Sequence, residues 1–484
     1  MDFWIILIVV FVLFIIYYFL NPKVPNGLKD VHTVTTLSTL KAAVTNSLGS
    51  DRLYLTNQSY LDNDGLIKFQ IRGKWFCLIS DPVLAKDIFL RPDVFPKLQL
   101  DEYLPDTALS HHYGVNVVHS NGDVWKRQRR ICNLAFKVLP VNLVVETGLK
   151  LMDIMEEIDN KPIEVVDLMH RFTLDVLGKV VFDLDFNNLG DPTNVYVTTY
   201  NEVQEELKSV IFTILPLDRI PYFKNKRIRK VEKLEKLFDD MIEKKHKSIA
   251  AGRSNGDLLE LMIKACNDQD NQENPSLTDL ELRHNLAIFM IAGHDTTANA
   301  LATLLYILSV HKDVQQKARE EILRILGDNL TPSAEQHKLL KYLNMIIHEN
   351  LRLYPPVPML PFRKVTEDLK YKNHVIPAGT GIALFIYGIQ HSPKLWENPE
   401  KFVPERFENE HFASGNDSWL AFGGGSRMCL GNNLSLIEQR IALCLILRKY
   451  EILLPPNSIH KDRVREKGHG TPQPIELVFK RRAE

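Results

Sequence analysis

Phe422-Gly423-Gly424-Gly425-Ser426-Arg427-Met428-Cys429-Leu430-Gly431 places one cysteine between a glycine-rich loop and a long apolar segment, Asn432 to Tyr450. Glycine supplies backbone conformations that other side chains forbid, and lets another group approach the main chain closely. Leu434, Ile437, Ile441 and Leu445 recur at helical spacing, which predicts a helix directly after the loop. A cysteine just before a helix N-terminus meets backbone N–H donors and the positive end of a dipole, both of which favour the thiolate. A thiolate is a metal ligand, and Arg427 offers a cation to an anion nearby. Read alone, Cys429 is equally compatible with an inert, buried thiol beside a structural turn.

Composition narrows the class. The chain has 484 residues, 45% hydrophobic and 25% charged, which is ordinary globular composition. Its length would suit about three domains, although large single-domain enzymes break that rule. A formal net charge of −1 gives no global reason to bind nucleic acid, so any basic docking surface must be local. The five cysteines (Cys77, Cys132, Cys266, Cys429 and Cys444) are odd in number, scattered and without a CxxC pair. Their spacing indicates neither a disulfide framework nor a zinc site, and suits a reduced, cytosol-facing protein.

The N-terminus differs from the rest. Phe3 to Leu20 is uncharged, and ~18–20 residues suffice to cross a hydrocarbon core. Trp4, Tyr17 and Tyr18 lie near its ends, where aromatic rings favour the interface. A cleaved signal peptide would want a basic start and small residues at its end; Asp2 and Tyr-Tyr-Phe-Leu supply neither. We read 1–21 as a single-span anchor and 22–30, with Pro22, Pro25 and Gly27, as a stiff hinge. Lys23 and Lys29 then place the remainder in the cytosol by the positive-inside rule.

Residues 66–80 alternate on both sides of Arg72-Gly73, a hairpin signal. From about 81 to 355 the pattern is mostly helical. Residues 101–120 show no sustained period and are expected to form a long loop. Val124–Val138 reads as a helix with Trp125 and Arg129 on one face, while Lys126, Arg127 and Arg130 point elsewhere. Residues 209–230 join apolar and aromatic residues to a basic cluster, which suits a membrane surface or a buried turn followed by an exposed helix start. Strands are expected at 381–387, 450–454 and 475–480.

Thr278-Asp279-Leu280-Glu281 is a capping-box start. The helical pattern after it continues to about Ser309, roughly 48 Å at 1.5 Å per residue. Its middle, Ala292-Gly293-His294-Asp295-Thr296-Thr297, breaks local rules: glycine costs ~1 kcal/mol there, and Asp295 adds charge to an apolar run. Gly293 would thin one face, and Asp295 with a threonine could relay protons. The alternative is a bend held by a threonine back-bond. Lys341–Leu353 is a further helix ended by Pro355-Pro356, with Glu349 and Arg352 three apart; exposed, that pair is worth only ~0.2–0.5 kcal/mol.

Together these segments resemble the cytochrome P-450 superfamily of haem-thiolate monooxygenases. Phe422-x-x-Gly425-x-Arg427-x-Cys429-x-Gly431 is similar to its haem-ligand signature, and Ala292–Thr297 to its oxygen-activation segment. Glu349-x-x-Arg352 with Pro404-Glu405-Arg406-Phe407 is similar to its Glu-Arg-Arg network, and Trp125-x-x-x-Arg129 to its propionate-binding helix. Four motifs in the family's order make chance agreement untenable.

The resemblance implies a mainly α fold with small β-sheets, one haem-binding catalytic domain over 31–484 built on a long central helix, and an N-terminal transmembrane helix. It implies haem b, with Cys429 as the iron ligand, Phe422 near the sulfur, and Gly431 among the cofactor-binding residues. Trp125, Arg129, Arg427 and, by position, Arg363 hold the propionates. Asp295 and Thr296 supply protons, and Ala292 and Gly293 line the oxygen groove. Glu349, Arg352 and Arg406 support the cysteine loop.

The function so implied inserts one oxygen atom from O2 into a lipophilic substrate, with NADPH electrons passed through a flavoprotein reductase at the endoplasmic reticulum membrane. Lys126, Arg127, Arg130, Arg448 and Lys449 are candidates for the reductase's acidic surface. An isomerase or dehydratase of a lipid hydroperoxide is the alternative, and a haem carrier or sensor the non-enzymatic one. Leu104, Phe212, Phe289, Met359 and Leu360 are expected to make the substrate pocket apolar.

Overall fold

The computed structural model describes residues 22–45, 49–137, 139–158, 161–267, 277–329, 331–409, 418–468 and 470–482. The expected anchor, and Val138 at the end of the expected basic helix, lie outside these residues. Among the described residues no helix is long and apolar enough to cross a membrane. Helices dominate, with small sheets between them.

The central helix spans Asp279–Val310, 32 residues. It starts at the expected capping box: Thr278 Oγ1 accepts from the Glu281 amide at 3.1 Å, and Glu281 Oε2 accepts from the Thr278 amide at 2.9 Å. From Leu282 onward most of its residues are buried on every face, the position that an apolar helix must take. It packs lengthwise on the helix Val165–Leu177 and touches the helices Pro221–Ala250, Lys341–Leu353 and Asn432–Lys449. Helical structure continues through Gly293–Thr297. Thr296 Oγ1 donates back to the Ala292 carbonyl at 3.1 Å, so the back-bond accompanies an unbroken helix. Gly293 does thin the helix, and what fills the missing side chain is Leu177 from the neighbouring helix.

The hairpin forms as expected. Leu66–Ile71 pairs antiparallel with Lys74–Ile79, and the two-residue turn has φ 49° at Arg72 and 81° at Gly73. Both values belong to the primed turns that match strand twist. Arg72 reaches the Thr213 carbonyl at 3.2 Å, tying the hairpin tip to the 209–219 segment. Lys74–Ile79 runs parallel to Gly381–Leu384, which pairs antiparallel with Arg363–Lys364. Tyr450–Leu453, Glu476–Arg481 and Pro162–Glu164 form a second sheet.

Three expectations change. Residues 101–120 contain the short helices Leu100–Tyr103 and Ala108–Tyr113, each started by a capping box. The expected strand at 381–387 stops at Leu384, and Ile386–His391 is helical. Residues 209–230 divide into a short helix, Val210–Ile214, a turn, and the start of a long helix at Pro221.

Candidate active site

The cysteine loop is closed by its own backbone. The Cys429 amide donates to the Phe422 carbonyl at 3.0 Å, and the Met428 amide to the Gly425 carbonyl at 3.2 Å. Gly423 and Gly425 have φ of 72° and 62°, and a Cβ on Gly425 would lie 2.6 Å from the Phe89 carbonyl oxygen. Glycine is therefore required twice over at 425: for conformation and for close approach. Gly431 is different. Its φ is an ordinary −87°, and a Cβ there would meet no protein atom. The space beside it belongs to a cavity that Cys429 also lines.

Cys429 is accessible and lines this cavity, although many protein atoms surround it. Burial pushes its thiol up; the backbone N–H groups of Gly431 and Asn432, and the Arg129 guanidinium, pull it down. Burial is the largest influence on the other cysteines too and brings Cys77, Cys132 and Cys266 up to about 12, against the pull of Lys68 on Cys77, of Arg129 on Cys132 and of Arg127 on Cys266. Cys429 combines two backbone N–H donors with a guanidinium, and among the described cysteines it is the one that lines the cavity.

The cavity, about 280 Å³, separates this loop from the central helix. Ala292, Gly293, Thr296, Thr297 and Ala300 line it. These positions recur at four-residue intervals and share one helical face. Asp295 is not among the lining residues: one residue from Thr296 is a rotation of about 100°. Its carboxylate is held instead by Lys208, by His294 Nε2 at 2.9 Å and by His170 Nδ1 at 3.5 Å. These three cations and donors outweigh burial and hold it well below the usual carboxylate range. Of the expected proton-supplying pair, Thr296 lines the cavity and Asp295 faces a polar cluster behind it.

Four cations also meet at the cavity. Lys97, Arg129, Arg363 and Arg427 line it together, and no ion pair joins any of them to a carboxylate among the described residues. Burial, with Arg363 and Arg427 beside it, pulls the Lys97 ammonium well below its ordinary value. Burial, with Arg363 and Arg129 beside it, brings Arg427 down to about 9, and burial brings Arg363 to about 10. Arg427 stacks over the Trp125 ring at 3.9 Å and bonds Asn121 Oδ1 at 3.2 Å, yet its Nε and Nη1 are buried without partners. Orphaned cationic donors at this density are costly unless an anion completes them. The cavity therefore fits a group that carries carboxylates at one edge and a thiolate-binding metal within reach of Cys429, which is the chemistry of haem.

Comparison with known proteins agrees with this geometry. The sequence model of the family Cytochrome P450 matches residues 56–479. The chain belongs to the cytochrome P450 family. Membership implies a haem-thiolate cofactor and oxidoreductase activity of the monooxygenase type. Curated relatives include Protein LUTEIN DEFICIENT 5, chloroplastic, of Arabidopsis thaliana, 29% identical over 82% of this chain and 69% of its own length. An 11-oxo-beta-amyrin 30-oxidase of Medicago truncatula is 28% identical over 79% of this chain and 74% of its own. The fold is that of the cytochrome P450DA heme domain, with a TM-score of 0.78 at 23% identity over 90% of this chain and 93% of that one.

Other features of this site have no local sequence signal. Lys97 follows a proline in an irregular segment, and Asn121 clamps it from both sides: Asn121 Oδ1 accepts from the Lys97 amide and Nδ2 donates to its carbonyl, both at 2.8 Å. Ser435 and Glu438 project from the helix after the loop into the cavity wall. Thr297 Oγ1 donates to Ser435 Oγ at 3.0 Å, and burial holds Glu438 well above the usual carboxylate range, as a neutral acid. Of the expected pocket residues, Phe289 and Leu360 line the cavity. Leu104 packs with Ile71, Phe76 and Leu98, Phe212 lies under the Arg227 guanidinium at 4.1 Å, and Met359 joins the cluster around Phe385.

Lys97 provides a test of the anion reading. Lys97→Met keeps the length and apolar stem but removes a buried charge. Haem-free protein should become more stable in urea, while haem leaves the loaded protein roughly 10–100-fold faster, the worth of one charge-assisted hydrogen bond of ~1.5–3 kcal/mol. Transfer of haem to apomyoglobin measures the second quantity.

Proposed function

We propose that this P450 is a membrane-anchored monooxygenase that receives NADPH electrons through a flavoprotein reductase and inserts one oxygen atom of O2 into a lipophilic substrate. The observation that carries this reading is the cavity with Cys429 on one wall and the Thr296 hydroxyl on the other. When bound, haem b supplies the oxidising iron, and thiolate ligation favours O–O cleavage. Cys429 would hold the iron, and Trp125, Arg129, Arg363, Arg427 and Lys97 the propionates. Thr296 would present a proton at Oγ1, released from its bond to the Ala292 carbonyl. Asp295 lies one residue behind, linked through half-exposed Lys208 to solvent. Val117, Phe136, Ile288 and Phe289 give a substrate an apolar wall and exclude water.

Exposed apolar side chains support a membrane surface. Leu37 and Val44 are 76% and 75% exposed on the helix Thr36–Val44, which touches Val210–Ile214, and Tyr222 nearby in sequence is 71% exposed. With the uncharged run Phe3–Leu20, this supports attachment to the endoplasmic reticulum with the catalytic domain in the cytosol. The reductase surface is narrower than the sequence suggests. Arg127 pairs with Glu281 of the capping box, Lys126 with Asp123 and Lys449 with Glu156, while Arg448 bonds the Gly327 and Asn329 carbonyls. Arg130 is exposed on the same helix as Lys126 and remains the clearest candidate.

The test is reconstitution with a reductase and a spectral screen for substrates. Product should require NADPH and O2, and Thr296→Ala should lower product per NADPH by up to ~10²-fold, the low end of what a positioned proton donor contributes. Turnover of a lipid hydroperoxide without NADPH, undiminished in Thr296→Ala, would overturn the proposal in favour of an isomerase.

A further inference from the structure

The polar cluster behind Thr296 has the makings of a second metal site. His170 comes from the helix Val165–Leu177, and His294 and Asp295 come from the central helix. Each histidine already commits one ring nitrogen to an oxygen acceptor. His294 Nδ1 faces the Met290 carbonyl, and His170 Nε2 faces Asn299 Oδ1 at 3.2 Å. Their other nitrogens, Nε2 of His294 and Nδ1 of His170, converge on the same carboxylate oxygen of Asp295. Metal-ligating histidines are oriented in this way, by a carbonyl or carboxylate on the nitrogen that does not touch the ion.

The spacing suits a small ion. The two nitrogen–oxygen separations, 2.9 and 3.5 Å, bracket the ~3.3 Å edge of a tetrahedron with metal–ligand bonds of ~2.0–2.1 Å. No two of the three ligand atoms lie more than 4.8 Å apart. Side-chain exposures of 27% for His170, 3% for His294 and 13% for Asp295 leave the cluster enclosed but reachable from the Lys208 side. Tyr200 closes another side: its ring meets the His294 ring edge-on with centroids 5.0 Å apart, and its buried hydroxyl has no hydrogen-bond partner. Such a hydroxyl is available to a water on the ion's fourth position.

We infer that His170, His294 and Asp295 form a zinc site for which the Lys208 ammonium is a tethered competitor. Two imidazoles and one carboxylate favour zinc over magnesium or calcium, which take oxygen ligands. Binding displaces Lys208 from the carboxylate, and each proton that His294 Nε2 or His170 Nδ1 shares with Asp295 Oδ1 is released to solvent. The ion would sit on the outer face of the central helix, away from Cys429 and its cofactor. Occupancy would hold Asp295 in its outward position, a consequence that rests on the proton-supply reading above; the binding itself does not.

Haem-loaded full-length protein titrated with Zn2+ by calorimetry tests this, with zinc K-edge absorption on the complex. One zinc per chain is expected, coordinated by two imidazole nitrogens and a carboxylate oxygen. His170→Ala should weaken binding by at least about 100-fold, the upper end of what loss of an outer-shell partner alone costs. Lys208→Met should tighten it several-fold, a change of sign that no surface-adsorbed zinc would show. An unaltered Soret spectrum confirms that each variant is folded. Zinc bound equally by His170→Ala and native protein, or no more tightly by Lys208→Met, overturns the inference; should His170→Ala not fold, the Lys208→Met titration and the absorption spectrum decide.

Discussion

Cys429→Ala should yield protein that, reduced and exposed to carbon monoxide, lacks the red-shifted Soret band of a thiolate-ligated haem, and whose reductase-driven turnover falls to the no-enzyme background. The fold should survive, because the Cys429 side chain faces a cavity and its structural bond to Phe422 is made by the backbone amide. Some haem should remain, held by Trp125, Arg129, Arg363, Arg427 and Lys97. This separates two contributions that a simple loss of activity would merge: retention by the cation cluster and electronic control by sulfur. No other described cysteine can substitute, since Cys77, Cys132, Cys266 and Cys444 do not line the cavity and burial pushes their thiols up. A thiolate-type spectrum retained in Cys429→Ala would remove this residue from the site, and with it the proposed reading of the cavity.

The features that could be read in the sequence are those whose chemistry is local. The backbone turns at Gly423 and Gly425, the capping box at Thr278 and the turn at Arg72-Gly73 each act within a few residues, and each appears where expected; the approach of Phe89 to Gly425 was not legible. The residue type at Asp295 was an anomaly worth noticing, but its direction depended on helical phase, and one position separates a cavity wall from a polar cluster. Gly293 was legible as a thin place; that Leu177 fills it was not, because that contact joins two helices distant in the chain. Lys97 and Asn121 carry no local pattern at all. The short helices Leu100–Tyr103 and Ala108–Tyr113 are too brief to display a period, and Ile386–His391 is buried on every face, so neither alternation nor a helical stripe could separate it from a strand. Burial was the other silent quantity, and it changes the energetics of Glu349 and Arg352 most.

Arg352→Leu should cost about 3–5 kcal/mol of unfolding free energy, the penalty for removing one partner of a buried ion pair, rather than the few tenths that an exposed pair would lose. Neither side chain has accessible surface. Arg352 Nε and Nη2 donate to Glu349 Oε2 and Oε1 at 2.7 and 2.8 Å, and the remaining donors reach the Gln390 and Pro399 carbonyls at 2.8 and 2.7 Å. Glu349 Oε1 also accepts from the Val403 amide at 3.0 Å and Arg406 Nε at 3.3 Å. From Gln390 the network continues toward the site: its Oε1 accepts from the Leu420 amide at 2.9 Å, two residues before Phe422. Arg352→Leu should therefore also reduce haem content, because the cysteine loop loses its anchor as well as its stability. Glu349→Leu should be similarly damaging, and the double variant Glu349→Leu/Arg352→Leu should lose less than the sum of the two, since no charge is then left buried alone. Urea unfolding of the three variants measures the coupling. Strict additivity would show that Glu349 and Arg352 act independently, and haem content unchanged in Arg352→Leu would show that the cysteine loop holds its shape without them.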